Sequence, residues 1–102
     1  MRQFDIYENP SPRSRPYAPY LVILQSHYLD PLQTVVVAPI VRDADQRLAE
    51  LDLPIEISGE ALTVAMTELA SIERQQLKQL ISNASDQEDS IRRALERIFT
   101  GF

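Results

Sequence analysis

The chain has 102 residues, 44% hydrophobic and 25% charged, which is enough for one hydrophobic core and one domain over 1–102. A net charge of −5 argues against a general nucleic-acid binder, which needs a basic face to neutralise phosphates. The absence of cysteine removes disulfides and thiolate chemistry and suits a reducing compartment. The apolar stretches 20–24 and 34–41 are far shorter than the about 20 residues of a membrane helix. In Met1-Arg2-Gln3-Phe4-Asp5 an acid stands where a secretory signal needs an apolar core, so a soluble, cytoplasmic protein is expected, with no membrane partner.

Phe4 and Ile6 alternate with Gln3, Asp5 and Tyr7, the pattern of a short half-buried strand. Residues 9–19 carry Pro10, Pro12, Pro16 and Pro19, with Arg13 and Arg15 between them. Each proline fixes φ and deletes a donor, so an irregular surface loop is expected. Pro16-Tyr17-Ala18-Pro19 matches a PxxP ligand, but a stiffened loop is the preferred reading. The β-formers of 20–25 predict a central strand, and 27–33 a turn around Asp30-Pro31. Residues 34–38 predict a second buried strand, halted by Pro39. Residues 43–53 suggest one or two helical turns. Ser58-Gly59-Glu60 predicts a hairpin turn, with Ile55 and Ile57 on one arm and Leu62, Val64 and Met66 on the other.

Residues 71–83 are ambiguous. Leu69, Ile72, Leu77, Leu80 and Ile81 are roughly helix-spaced, and local propensity favours a helix. The C-terminal segment is clearer. Ser85 and Glu88 form a capping-box pattern, Asp86, Glu88 and Asp89 fill the first turn, and Arg92, Arg93 and Arg97 follow. Ile91, Leu95, Ile98 and Phe102 share one face, flanked by Ala94 and Phe99.

In this order and spacing the residues resemble the CcdB family of toxins. Gln3-Phe4-Asp5-Ile6-Tyr7 is similar to the family's opening strand, and Leu24-Gln25-Ser26-His27-Tyr28-Leu29-Asp30 to its QS-containing segment. Val36-Val37-Ala38-Pro39-Ile40 and Met66-Thr67-Glu68-Leu69-Ala70-Ser71 match further family stretches, and the end from Ile91 to Phe102 its terminal helix. The resemblance implies an α+β, mainly β fold: an SH3-like barrel of the CcdB/MazF type, with a small accessory sheet, a C-terminal helix and a strand at 71–77. It further implies a homodimer that binds the DNA gyrase A subunit and traps the gyrase–DNA cleavage complex. A cognate CcdA-like antitoxin would neutralise the toxin and form the operon repressor with it, so that DNA is met only through that complex.

Carried over by residue, the gyrase-binding positions are Thr100, Gly101 and Phe102 at the tail, Phe99 and Glu96 before it, and Ser26, Tyr28 and Leu29 on the neighbouring loop. Thr100 stands where the family's best-known tail has tryptophan, Phe102 where it has isoleucine, and Glu96 replaces a neutral amide. Phe99 and Phe102 have a plainer reading as residues that pack the helix on the core. No catalytic residue, cofactor or metal site is expected. His27, near Ser26 and Asp30, lacks the partners of a triad and reads as a turn residue. Asp43, Asp45, Glu50 and Asp52 lack the glycine and spacing of a calcium loop and read as a solvated acidic face. Arg13 and Arg15 read as loop charges, on a loop where an acidic antitoxin segment could dock. Two other functions stand beside the gyrase poison: an inactive or retargeted co-repressor, and a MazF-like endoribonuclease, which the acidic charge disfavours.

Overall fold

The computed structural model describes residues 2–26, 32–42 and 51–100. The strands are β1 (Asp5–Glu8), β2 (Tyr20–Ile23), β3 (Thr34–Val41), β4 (Leu53–Ile57), β5 (Glu60–Val64), β6 (Ala70–Glu73) and β7 (Leu80–Asn83). A helix, α1 (Glu88–Thr100), follows β7 after one 3₁₀ turn, Ser85–Gln87. The seven strands among the described residues belong to one antiparallel sheet in the order β4-β5-β3-β2-β1-β7, with β6 also paired to β3. The sheet curls into a half-barrel around the main core.

The unbroken apolar run of β2 is explained by burial on both faces. Val22 and Leu24, with Ile6, Ala38 and Ile40 from neighbouring strands, point into the main core beside Ile91 and Ala94 of α1. Leu21 and Ile23 point the other way and join Tyr7, Val35, Val37 and Leu77 in a second cluster. Tyr7 is therefore buried too, and β1 is covered on both faces instead of half-buried.

Proline 39 does not halt β3, which continues to Val41. On one side β3 pairs with β2 from Val37 to Ile40. On the other it pairs with β6 from Thr34 to Val37 and with β5 only at Ile40 and Val41. The Pro39 carbonyl accepts from Ala65 N–H at 2.9 Å on that second side. A strand residue's N–H and C=O point the same way, so the missing donor faces the gap where the chain passes from β5 to β6. No bond to β2 is lost.

The stretch 71–83 is not a helix. β6 covers 70–73, a 3₁₀ turn follows at Arg74–Gln76, and β7 begins at Leu80. The strand implied at 71–77 thus exists in its first part only. Residues 34–37 of β3 need an edge partner, and that pairing overrides local helix propensity. Arg74 extends it, its backbone N–H donating to Gln33 O at 2.8 Å and its Nε to Leu32 O at 2.9 Å.

The hairpin is as expected: Ser58 (φ 53) and Gly59 (φ 82) form a two-residue turn with both φ values positive, and Ile57 pairs with Glu60. The helix stands as well, but Ser85 is not its cap. It lies inside the 3₁₀ turn, and its N–H donates to Asn83 Oδ1 at 2.7 Å. Ala94 is central to the helix's buried face, at 1% exposure, while Phe99 is 72% exposed. The expected turn at 27–33 and the helical turns at 43–53 fall largely outside the described residues.

Phe4 closes the fold. Its φ of 70° is rare for a bulky residue, yet it is held on both sides. Its N–H donates to Ile23 O at 2.7 Å and its carbonyl accepts from Ala84 N–H at 2.8 Å. The Arg92 guanidinium lies 5.7 Å from the ring centroid. Asp5, beside it, accepts from Arg2 N–H at 2.8 Å and from Asn83 Nδ2 at 2.9 Å.

Two stability outcomes follow. Ile91→Ala empties a fully buried site and is expected to cost about 2–5 kcal/mol in urea unfolding, whereas Phe99→Ala is expected to stay within about 0.5 kcal/mol. Gly59→Ala meets no atom within 4 Å, so only the left-handed backbone penalty of about 1–2 kcal/mol applies, and Gly59→Asn recovers part of it.

Candidate functional site

Two surfaces carry the chemistry that the fold leaves outward. The first is the end of α1. Ile91 and Ala94 satisfy its buried face, with Leu95 and Ile98 partly buried against the same core. The last turn then presents Glu96, Phe99 and Thr100 outward, all exposed. Phe99 is a large apolar side chain with nothing in the described fold to cover it. It does not pack the helix on the core. The Thr100 hydroxyl donates to the Glu96 backbone carbonyl, so its proton is spent within the helix. What Thr100 can offer a partner is a methyl group and an oxygen lone pair. Glu96 adds a negative charge one turn before it.

Ser26 is half-buried where the chain leaves β2, and it has a polar partner. Gly101, Phe102, Tyr28 and Leu29 lie outside the described residues, as do His27, Asp30, Asp43, Asp45 and Glu50. Of the acidic group expected to be solvated, Asp52 is instead buried at the bend into β4, at 8% exposure. No cluster of three or more potential metal ligands occurs among the described residues.

The second surface is built on the proline loop after β1, and it is held rigidly. Asn9, 5% exposed, is its pivot. Its Nδ2 donates to Ser14 Oγ at 2.9 Å and to Ala18 O at 2.8 Å, and its Oδ1 accepts from Ser11 N–H at 3.0 Å. Arg15 folds back to give Nε to Asn9 O at 2.8 Å and Nη2 to Pro10 O at 3.3 Å. Just past β3, Arg42 donates its N–H to Tyr17 O at 3.0 Å, Nη1 to Pro16 O at 2.9 Å and Nε to Glu60 Oε2 at 2.8 Å. With Ala18 and Pro19 buried and the loop turned, the PxxP segment is not displayed as an extended ligand.

The pinned loop makes one wall of two open grooves. The larger, about 740 Å³, has Glu8 and Arg15 facing Gln75, Gln76, Lys78 and Gln79. The smaller, about 460 Å³, has the same Glu8 and Arg15 beside Pro12, Pro16, Tyr20 and Arg42. Glu8 Oε1 lies 3.6 Å from Arg15 Nε, both side chains being close to half exposed. Of these residues the sequence singled out Arg15 as a charge on a loop where an acidic segment could dock, and gave Gln75, Gln76, Lys78 and Gln79 no role. No sequence signal joins residue 8 to residues 75–79. The pairing of β1 with β7, continued by Glu8 N–H to Gln79 O at 2.9 Å, brings them together.

Comparison with known proteins places this architecture. The family profile described as CcdB protein matches residues 3–101. Among solved structures the chain is similar to the Mycobacterium tuberculosis toxin MazF-mt6, with a TM-score of 0.72 and 22% identity over 96% of each chain. It is similar also to an Mtb toxin, with a TM-score of 0.69 and 23% identity over 80% of this chain and 92% of that one. A third is an endoribonuclease in complex with its cognate antitoxin from a mycobacterial species, with a TM-score of 0.66 and 10% identity over 94% and 91%. These likenesses concern the fold, a curled β-sheet of the MazF and CcdB type with one C-terminal helix. No curated protein matches the chain in sequence. The family match spans almost the whole sequence, and the chain belongs to the CcdB family of toxins.

Proposed function

We propose that residues 1–102 form a single toxin domain of a type II toxin–antitoxin system, acting in the cytoplasm as a homodimer that binds the DNA gyrase A subunit. It traps the gyrase–DNA cleavage complex by contact and is not itself an enzyme. The observation that carries this reading is the uncovered end of α1, where Phe99 stands 72% exposed on a helix already anchored through Ile91 and Ala94. A large aromatic held outward on a rigid element is the kind of residue in which interfaces concentrate their energy. Ser26, Tyr28 and Leu29 complete the contact, and Gly101 and Phe102 extend it. A CcdA-like antitoxin neutralises the toxin, and the two together form the operon repressor. Its acidic segment docks on the proline loop, where Arg15 is held ready by the backbone.

One observation favours a second reading, that of an inactive or retargeted co-repressor. Thr100 has its hydroxyl bonded within the helix and Glu96 brings an anion, so the outward face beside Phe99 is poorer than the family's tryptophan tail. The endoribonuclease reading rests on the shared barrel alone.

Truncation after Phe99 and induced expression distinguish these readings. The full-length chain is expected to arrest growth and accumulate cleaved gyrase–DNA complexes. The truncated chain is expected to lose both while keeping its unfolding free energy within about 0.5 kcal/mol. Loss of an aromatic anchor at Phe102 corresponds to about 2 kcal/mol or more, a roughly thirty-fold weaker contact. Glu96→Asn leaves activity unchanged or raises it, since an anion no longer has to be desolvated. Equal toxicity of the truncated chain would remove the tail from the mechanism, and a harmless full-length chain that traps no gyrase would leave the co-repressor. Cleavage of RNA by the purified protein would promote the nuclease.

A further inference from the structure

The two grooves beside the proline loop share two charged residues. Glu8 and Arg15 line both, and their side chains meet at 3.6 Å. The contact is loose. Arg15 is positioned by the carbonyls of Asn9 and Pro10, not by Glu8, so its location survives if Glu8 leaves. Arg42 is committed to Glu60 and to the Pro16 carbonyl. Lys78, on the far wall of the larger groove, is exposed and has no ion pair among the described residues. The cations with charge to offer an incoming group are therefore Arg15 and Lys78, and Glu8 is the anion that both lobes already share.

We propose that the Glu8–Arg15 pair is an internal gate in a two-lobed groove for an extended acidic peptide, Glu8 holding the place that a partner's carboxylate takes. This deepens the antitoxin reading above and rests on it. A peptide fits the lining better than a nucleic acid strand does. Gln75, Gln76 and Gln79 each carry a donor and an acceptor, the complement of a peptide backbone. Two available cations and one aromatic, Tyr20, are too few for a strand that needs a phosphate neutralised at each step and bases stacked. The loop is prearranged by Asn9 and Arg42, so little ordering cost falls on this wall when the peptide arrives. Displacing Glu8 into water exchanges one half-exposed ion pair for another, which makes the gate one of selectivity: a neutral peptide loses the Glu8–Arg15 contact without replacing it, and so binds more weakly than an acidic one.

The test uses the full chain and a fluorescein-labelled oligoglutamate peptide, with oligoglutamine and oligouridylate as comparison probes, read by fluorescence anisotropy and by NMR of the glutamine side-chain amides. Glu8→Gln is expected to bind oligoglutamate about threefold tighter than the parent chain, the scale of a half-exposed ion pair. Glu68→Gln, which makes the same change in net charge at an exposed acid outside the grooves, is expected to change binding far less. Lys78→Gln and Arg15→Gln are expected to weaken it, with Lys78 giving the independent answer if removal of Arg15 loosens the loop. The perturbed amides should be those of Gln75, Gln76 and Gln79. Equal binding by the Glu8 and Glu68 variants overturns the gate, as does tighter binding of oligouridylate or oligoglutamine than of oligoglutamate by the Glu8 variant. Oligoglutamate binding that Arg15→Gln and Lys78→Gln weaken but Glu8→Gln does not tighten overturns the gate alone, whereas no oligoglutamate binding by any of these chains overturns the gate together with the antitoxin docking it rests on.

Discussion

Everything in this fold depends on β3 having to satisfy two edges and two faces at once. From Val35 to Ala38 its side chains alternate between the second cluster and the main core, and Ile40 returns to the main core, so this stretch has no face free to meet water. Along one edge β2 pairs with it continuously from Val37 to Ile40. Along the other, no single strand is long enough or straight enough, and β5 and β6 divide the work with a gap between them. Pro39 sits opposite that gap. A residue that cannot donate stands where nothing waits to accept, and the sheet bends there instead of ending. The curl that wraps the sheet around α1 follows from this handover.

The curl also decides what is left outside. Because α1 lays Ile91, Ala94 and Ile98 against the main core, the opposite side of its last turn faces away and carries Phe99 outward. Because β1 and β7 pair at the far edge, the proline loop and the segment 75–79 are brought together and line the larger groove. The helix end and the grooves are thus two consequences of one packing decision. Each is rigid for a local reason: the helix through its buried face, the loop through the buried amide of Asn9 and the guanidinium of Arg42.

Much of the barrel was legible. The apolar runs at 20–25 and 34–38, the Ser58-Gly59 turn and the acidic start and basic end of the last helix each carry a local physical signature. What escaped was whatever depends on a distant partner. Residues 71–83 are helix-like by propensity and become two strands because β3 and β1 lack edge partners. Ser85 has the spacing of a cap, but Asn83 intercepts its N–H first. Pro39 is a strand breaker by rule and is tolerated only because the neighbouring strands part beside it. At the candidate sites, Phe99 and Glu96 were visible as outward candidates from the family's tail. The groove was not, since Glu8 and Gln79 meet only through long-range pairing.

The bonds around Phe4 and Asp5 have a bearing on how the chain comes into being. The fourth residue receives an N–H from the eighty-fourth, the fifth is tied to Asn83, and the ring lies under Arg92. Contacts of such sequence separation close late and slow the search for the native state. During synthesis β2 can join β1 early, but β1's outer edge stays bare and the hollow of the sheet stays empty until β7 and α1 have left the ribosome. The outward aromatic belongs to that same helix, so the element that closes the fold and the one that faces a partner are completed together.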